Sequence, residues 1–409
     1  MKGWVDFAHL EELLTEEEKM VAKTVYDFVA DRVKPVIADY YEQGEFPLHL
    51  VKEMAGLGLF GATLKEYGGA GISHTAYGLM MQELERGDSG FRSFASVQSG
   101  LVIYPISTFG SEAQKEKYLP KLIKGELIGC FGLTEADFGS DPAGMRTTAV
   151  KQSDHWLIDG SKMWITNGSI ADVAVVWARS ADGIRGFLLE KGMPGFSAKD
   201  IKHKASLRAS ITSELIFEEV KVPEENRLPG AEGLKAPLQC LTQARYGIGW
   251  GVLGAAMDCY LTALDYAKTR IQFGGPIAAF QLVQQKLAGM ITEITKGQLL
   301  ALHIGRLKDR GKAAYQHISM LKQNNVDMAL TIARQARDIL GANGISLEYP
   351  AIRHLCNLES VRTYEGTHDI HTLIIGQHIT GLPAFRRVLE INPQHQWAAE
   401  TLPQLEKEK

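Results

Sequence analysis

Thr363-Tyr364-Glu365-Gly366-Thr367-His368-Asp369-Ile370-His371 is the stretch on which the reading of this chain turns. It sets one carboxylate, Glu365, at a break between two apolar-periodic helical segments. A glycine follows, then a threonine suited to cap the next helix. A carboxylate held at a helix junction and shielded from water has a poorly solvated charged form. Its proton affinity rises, which suits it to act as a base toward a carbon acid. His368 and His371, at helical i, i+3 spacing, share one face as a metal site would need, but no further cluster completes a coordination shell. A helix start, with Thr367 and Asp369 meeting free backbone donors, accounts for these residues without a metal.

Working back from this stretch, a helical apolar period runs from about residue 239 to about 385. Long amphipathic segments near 245–270, 280–309 and 314–342 predict a helix bundle over 239–391. A polar tail follows at 392–409. Residues 133–238 have a different texture and predict a small β domain. His155 to Thr166 reads as two short strands about Asp159-Gly160, a hairpin signal. Val173 to Trp177, Gly186 to Leu189 and Leu215 to Val222 are further strand candidates. Residues 1–132 read as mostly helical. Thr15 and Glu18 form a capping box ahead of the helical repeat Met20, Val21, Val25, Phe28 and Val29, which should stop near Pro35. Ser111 and Gln114 open another helix in the same way. Gly56-x-Gly58-x-x-Gly61 matches a dinucleotide fingerprint in form only. The residues before it, Leu48 to Ala55, look helical rather than strand-like, so a tight turn is expected.

At 409 residues, the chain is longer than the roughly 250–300 residues at which one core stops growing, so two or three domains are expected. The formal net charge is -4 with both signs interspersed, which argues against nucleic-acid binding through a basic face. The four cysteines are scattered and form no Cys-x-x-Cys pair, so unpaired thiols in a reducing compartment are expected. No apolar run reads as a membrane span. Glu11, Glu12, Glu16, Glu17 and Glu18 make the beginning of the chain unlike a signal or transit peptide. A prokaryotic cytosol is the simplest location, or a mitochondrial matrix for a processed form.

Three further motifs stand in order along the chain: Phe131-Gly132-Leu133-Thr134-Glu135, then Gly139-Ser140-Asp141, then Trp164-Ile165-Thr166. With the Glu365 stretch they resemble the acyl-CoA dehydrogenases, most closely the glutaryl-CoA dehydrogenases, from about residue 10 to about residue 387. The resemblance implies a mainly α fold with a central β domain: an N-terminal helical domain, the small β domain and a C-terminal four-helix bundle. It implies FAD as cofactor, Glu365 as catalytic base and an electron-transfer flavoprotein as electron acceptor. It also implies a homotetramer. In the family, the segments matching Phe131, Leu133, Thr134, Gly139 and Ser140, and Trp164, Ile165 and Thr166, line the flavin. The residue matching Ser140 also reaches toward the CoA part of the substrate. Arg270-x-Gln272-Phe273-Gly274 with Gln281 resembles the segment that reaches the adenosine diphosphate end of FAD from a neighbouring subunit. An arginine suits that task because its fork meets a phosphate with two parallel hydrogen bonds. Asp338, Leu340 and Gly341 resemble the turn that completes the FAD site. Ala342 stands where many members have a second glycine. Thr367 and Asp369 match residues that lie against the flavin. Without the resemblance, each of these segments also reads as an ordinary turn, strand or helix cap.

Arg92 bears on substrate class. Fatty acyl-CoA dehydrogenases line the acyl end of their pocket with apolar groups, and a guanidinium buried there without an anion is costly. A dicarboxylic acyl chain supplies that anion. The resemblance makes Arg92 the holder of the distal carboxylate, with Ser93 or Ser96 assisting; the bland reading is a surface arginine paired with Glu85 or Asp88. Arg245 resembles an arginine near the substrate and the base, and Gly366 adjoins both. Tyr364 and Glu85 match positions typical of decarboxylating members. The expected reaction is therefore α,β-dehydrogenation and decarboxylation of glutaryl-CoA to crotonyl-CoA and CO₂, as in lysine and tryptophan catabolism. A non-decarboxylating or short-chain enzyme is the near alternative. A DNA-binding or catalytically silent flavoprotein of the same fold is the distant one, and Glu400, Glu406 and Glu408 in the tail speak against DNA binding.

Overall fold

The computed structural model describes residues 5–385. The polar tail at 392–409, with its three glutamates, and the end of the predicted C-terminal helical segment lie outside the described residues. The first helices are α1 (Glu16–Phe28), α2 (Ile37–Gln43), α3 (Val51–Gly56), α4 (His74–Gly87), α5 (Ser89–Ser96), α6 (Tyr104–Phe109) and α7 (Glu112–Ile123). Both predicted capping boxes form. The Glu18 amide donates to Thr15 Oγ1 at 3.3 Å, while the Thr15 amide donates to Glu18 Oε2 at 2.9 Å. Ser111 and Gln114 reciprocate in the same way at the start of α7. α1 leaves through a π-turn, Val29–Val33, just short of Pro35. After α3 the chain turns through Gly58 and Gly61, both at positive φ, and no strand precedes them.

The sheet contains β1 (Gly129–Gly132), β2 (Thr148–Lys151), β3 (His155–Thr166), β4 (Val173–Ser180), β5 (Gly183–Glu190), β6 (Phe196–Asp200) and β7 (Thr212–Pro223). The strands run in the order β1-β4-β2-β3-β7-β6, with β5 paired to β4. The predicted hairpin at Asp159-Gly160 is corrected: His155 to Thr166 is one strand. Its two halves pair with β7 rather than with each other, and the register against β7 shifts between Ile158 and Gly160. Gly160 at φ +134° takes up a bulge there, and a Cβ on it would meet the Thr147 Cα at 2.8 Å. The positive-φ preference of Asp-Gly is thus spent on a bulge instead of a chain reversal. β1, β2 and β6, of four or five residues each, carry too little alternation to stand out in the sequence.

The helical period resumes with α8 (Lys235–Thr269). A short hairpin follows, β8 (Ile271–Gln272) and β9 (Gly275–Pro276), and then α9 (Gln281–Asp309), α10 (Tyr315–Ile339), α11 (Pro350–Thr363) and α12 (His368–Thr380). By length and composition α8 is the one described helix that passes for a membrane span, but 78% of its apolar window is buried, as in the core helix of a bundle. Every residue from Ala244 to Cys259 is buried. The helix is therefore the axle of the bundle, packed by α4, α9, α10 and α11. Its glycines allow the closest crossing: a Cβ on Gly254 would fall 1.8 Å from the Gln82 carbonyl oxygen of α4. Buried ion pairs tie the same layers. Arg353 of α11 donates to Asp88 Oδ2 at 2.5 Å, and Asn357 donates to the same oxygen at 2.8 Å. The Leu207 amide, from the loop before β7, donates to Asn357 Oδ1 at 2.8 Å and so joins the sheet region to the bundle. The four cysteines are unpaired.

Gly254→Ala has no route around the Gln82 carbonyl except separation of α4 from α8. Overpacking of this kind costs about 3 kcal/mol. Urea denaturation should show a loss of that order with an unchanged m-value.

Candidate active site at the α11–α12 junction

α11 ends at Thr363 and α12 begins at His368. Thr367 caps α12, its Oγ1 accepting from the Ile370 amide at 3.2 Å. Between the helices Glu365 adopts φ +52° and Gly366 φ +94°. A left-handed conformation at a non-glycine residue costs of order 1 kcal/mol and persists only where the surroundings impose it. Here they do. Arg245 Nε of α8 donates to the Glu365 carbonyl at 2.6 Å. Lys322 Nζ of α10 donates to the Gly366 carbonyl at 2.7 Å and, more closely still, to that of Tyr364. Gly366 is unsuited to a side chain, since its φ is left-handed and a Cβ would press on His371 Nε2 at 3.0 Å and Arg245 Nη2 at 3.1 Å.

The Glu365 side chain has a buried Oε2 with no hydrogen-bond partner. Burial pushes its pKa above the ordinary carboxylate value, and the positive charges of Arg92, Lys322 and Arg245 offset that only in part. Burial lowers the Lys322 pKa to about 7. Both ring nitrogens of His371 are buried and unpartnered, and burial, reinforced by Lys322 and Arg245, keeps the imidazole neutral.

Arg92 lies on α5, fully buried. The surface reading is corrected: its Nε donates to Glu85 Oε2 at 2.7 Å, and Glu85 is equally buried. Asp88, the other candidate partner, is taken by Arg353. Burial opposes the charge of Arg92, but Glu85, Tyr364 and Glu365 outweigh it, and the guanidinium stays charged. Nη2 donates to the Tyr364 hydroxyl, whereas Nη1 is buried without a partner, as is the Ser96 hydroxyl. Ser93 is buried on the same helix, and Ser89 Oγ donates to the second Glu85 oxygen at 2.8 Å. Gly251 of α8 makes space for the pair, because a Cβ there would lie 2.2 Å from Glu85 Oε2. A buried cation with one donor nitrogen unpartnered, two buried serines on the same helix and a raised-pKa carboxylate that feels its charge have the chemistry to receive an anion near a proton acceptor.

The flavin-type motifs also meet. The Met163 amide donates to the Thr134 carbonyl at 2.8 Å. Lys162 Nζ donates to the Leu133 carbonyl at 3.1 Å and to Glu135 Oε1 at 2.8 Å, pinning one segment to the other. Phe131, Leu133 and Ile165 are buried, while Thr134 and Thr166 are half-buried, with hydroxyls that no protein group occupies. Trp164, at φ +64°, holds its indole 59% exposed. Two hydroxyls without a partner among the described residues and an outward indole at the end of β3 suit a flat polar ring. Gly139 and Ser140 lie in the exposed loop after Thr134. Arg270, Phe273 and Gln281 gather around the β8–β9 hairpin and the start of α9, all exposed, with Phe273 at 96%. Asp338 at the end of α10 pairs with Lys286 of α9, and Leu340 and Gly341 follow it. This last group makes no contact with the Glu365 cluster within the chain. Asp369 is exposed in the first turn of α12.

Sequence reading missed Lys322, Tyr77 and Gly251, and weighed His371 only as a metal ligand or part of a helix start. For Lys322 a signal existed. Ile318, Leu321, Asn325, Val326 and Ala329 form the buried stripe of α10, and a lysine on that stripe breaks the helical pattern.

Models of three domains match the chain: the acyl-CoA dehydrogenase N-terminal domain over residues 15–126, the middle domain over 130–220 and the C-terminal domain over 231–380. The human mitochondrial short-chain specific acyl-CoA dehydrogenase is 36% identical over 375 residues, 90% of each chain. The crystal structure of glutaryl-CoA dehydrogenase from Mycobacterium smegmatis superposes with a TM-score of 0.91 at 57% identity, covering 92% of this chain and 98% of that one. A glutaryl-CoA dehydrogenase from the same organism in complex with FADH2 gives 0.93 at 51% identity, covering 93% and 99%. Helical, sheet and helical regions in this order, with a shielded carboxylate at the α11–α12 junction and the paired Thr134 and Thr166 segments in the sheet region, fit a flavin-dependent oxidoreductase. The chain belongs to the acyl-CoA dehydrogenase family and uses FAD.

Glu85→Gln removes the carboxylate that pairs with a fully buried guanidinium. Breaking such a pair costs about 3 kcal/mol or more. Denaturation of the variant should show that loss, and a result within 0.5 kcal/mol (about the effect of a surface substitution) would exclude a buried ion pair here.

Proposed function

We propose that this acyl-CoA dehydrogenase acts on glutaryl-CoA and releases crotonyl-CoA and CO₂. The observation that carries this reading is the unpartnered, buried Nη1 of Arg92, set beyond Tyr364 from the Glu365 carboxylate. A saturated hydrocarbon chain gives a buried guanidinium nothing to bind, whereas a distal carboxylate satisfies it. The similarity to glutaryl-CoA dehydrogenases of solved structure supports the same reading.

The residues then take the following roles. The thioester carbonyl accepts from the backbone amide of Glu365, which has no acceptor among the described residues, and this stabilises the developing enolate charge. Glu365 takes the α-proton. FAD would be held by the Thr134 and Thr166 segments and would supply the acceptor for the hydride that leaves Cβ. Arg92, supported by Glu85 and Tyr364, orients the γ-carboxylate. Loss of CO₂ leaves its electron pair on the former γ-carbon as part of a dienolate, and protonated Glu365 returns the proton there. We further propose that an electron-transfer flavoprotein reoxidises the enzyme, that a neighbouring subunit of a homotetramer presents Arg270 and Phe273 to the cofactor, and that the enzyme works in the cytosol. A non-decarboxylating enzyme differs only in stopping at the glutaconyl thioester.

Glu365→Gln should retain FAD and lose bleaching of the flavin by glutaryl-CoA, followed by absorbance; normal bleaching would refute the assignment. In the unmodified enzyme the bleaching rate should rise with pH, with a midpoint above the ordinary carboxylate range, because the base works deprotonated and burial raises its pKa. Arg92→Ala should lower use of glutaryl-CoA far more than use of butyryl-CoA, and equal losses would indicate a purely structural arginine. Mass spectrometry of the product distinguishes crotonyl from glutaconyl thioester by the mass of CO₂.

A further inference from the structure

The charged and titratable groups around Glu365 come from every helix packed against it. Tyr77 and Glu85 belong to α4, Arg92 to α5, Arg245 to α8, Lys322 to α10, Tyr364 to the end of α11 and His371 to α12. Among the cations Lys322 is peculiar. Arg92 has Glu85 as its counter-ion, and Arg245 is spent on the Glu365 carbonyl. Lys322 is 1% exposed and pairs with no carboxylate at salt-bridge distance among the described residues. Its donors go to the two carbonyls that flank Glu365 in the chain. Its ammonium also lies 5.7 Å from the centre of the Tyr364 ring, on the residue that receives Arg92.

An ammonium buried against neutral carbonyls alone is unfavourable, because dipoles replace only part of its hydration. A plain cross-link between α10 and the junction needs only a neutral donor. A charge becomes favourable there when a carboxylate close by is ionised, and Glu365 is such a group. We propose that Lys322 is a positioning residue for the base: by gripping the carbonyls on either side, it holds Glu365 in its left-handed turn and, while protonated, adds a positive charge near the carboxylate. The inference rests on Glu365 being the base.

Two consequences separate this from a merely structural lysine. First, the turn aims the carboxylate, so loosening it slows proton abstraction while leaving the acyl and FAD contacts in place. Second, removal of a positive charge beside Glu365 raises its proton affinity further. The deprotonated base then appears only at higher pH, and the rising limb of the rate profile moves upward. The other cations are unaltered and preserve part of the offset.

The test uses the full-length holoenzyme and flavin bleaching by glutaryl-CoA or butyryl-CoA, whichever reduces the unmodified enzyme faster. Lys322→Met should retain its FAD, with half-saturating substrate within about threefold of the unmodified enzyme. Its limiting bleaching rate should fall about 100-fold, the scale of a misplaced catalytic group. The pH midpoint of that rate should rise by about one unit. Lys322→Gln, which keeps a donor but not the charge, should show the same rise with a smaller loss of rate, and it carries the test if the methionine variant does not fold. Lys322→Arg, which restores the charge, should return the midpoint toward the unmodified value. An unchanged midpoint in either neutral variant would overturn the proposal. Glu365→Gln assayed alongside tests the base itself: normal bleaching there removes Glu365, whereas no bleaching there with unshifted Lys322 variants removes only the role of Lys322.

Discussion

Three successive carbonyls, at Tyr364, Glu365 and Gly366, are held by two buried cations, and the architecture around the site is organised to make that possible. Arg245 comes from α8 and Lys322 from α10, so the turn takes its shape only when both helices are docked against the α11–α12 junction. The left-handed φ of Glu365 is local strain that long-range contacts sustain. The reward is a carboxylate with an oxygen that no donor among the described residues satisfies, in surroundings that raise its proton affinity. Such an arrangement is poor for stability and good for abstracting a weakly acidic proton.

The bundle is shaped to bring these charges in. α8 carries glycines where α4 presses on it, which lets Glu85 and Arg92 approach the same interior space as Arg245. Glu85 neutralises Arg92 on one side, and Tyr364 accepts from it on another, leaving one nitrogen, Nη1, without a partner. Tyr364 is thus shared: Arg92 holds its hydroxyl, Lys322 holds its carbonyl, and its chain neighbour is Glu365, the proposed base. The Arg92 guanidinium and the Glu365 turn are mechanically joined through this one residue.

Much of this was legible in the chain. Capping boxes at Thr15 and Ser111 announced their helices because the capping interaction is local, and the long periodic segments announced α8, α9 and α10 for the same reason. The junction at Glu365 was legible because a glycine and a capping threonine mark a helix break by their own backbone chemistry. The Asp159-Gly160 bulge was misread as a hairpin because that dipeptide only states that positive φ is welcome. Whether the flanking segments pair with each other or with β7 is a non-local decision. Lys322 passed unread because a lysine in a helix is ordinarily solvated, and only its place on a buried stripe betrayed it.

The sequence by itself determined the helix–sheet–helix order, the helix breaks and the residue types available for chemistry, since these depend on interactions within a few residues. Only the tertiary structure decided that Arg92 is buried against Glu85 rather than exposed, and that Asp88 serves Arg353 instead. It alone brought Lys322 and Arg245, from two different helices, to the carbonyls around residue 365. The physical reason is the same in each case. A charge is stabilised by whatever lies within a few ångströms of it, and sequence separation carries no information about that distance until the helices pack.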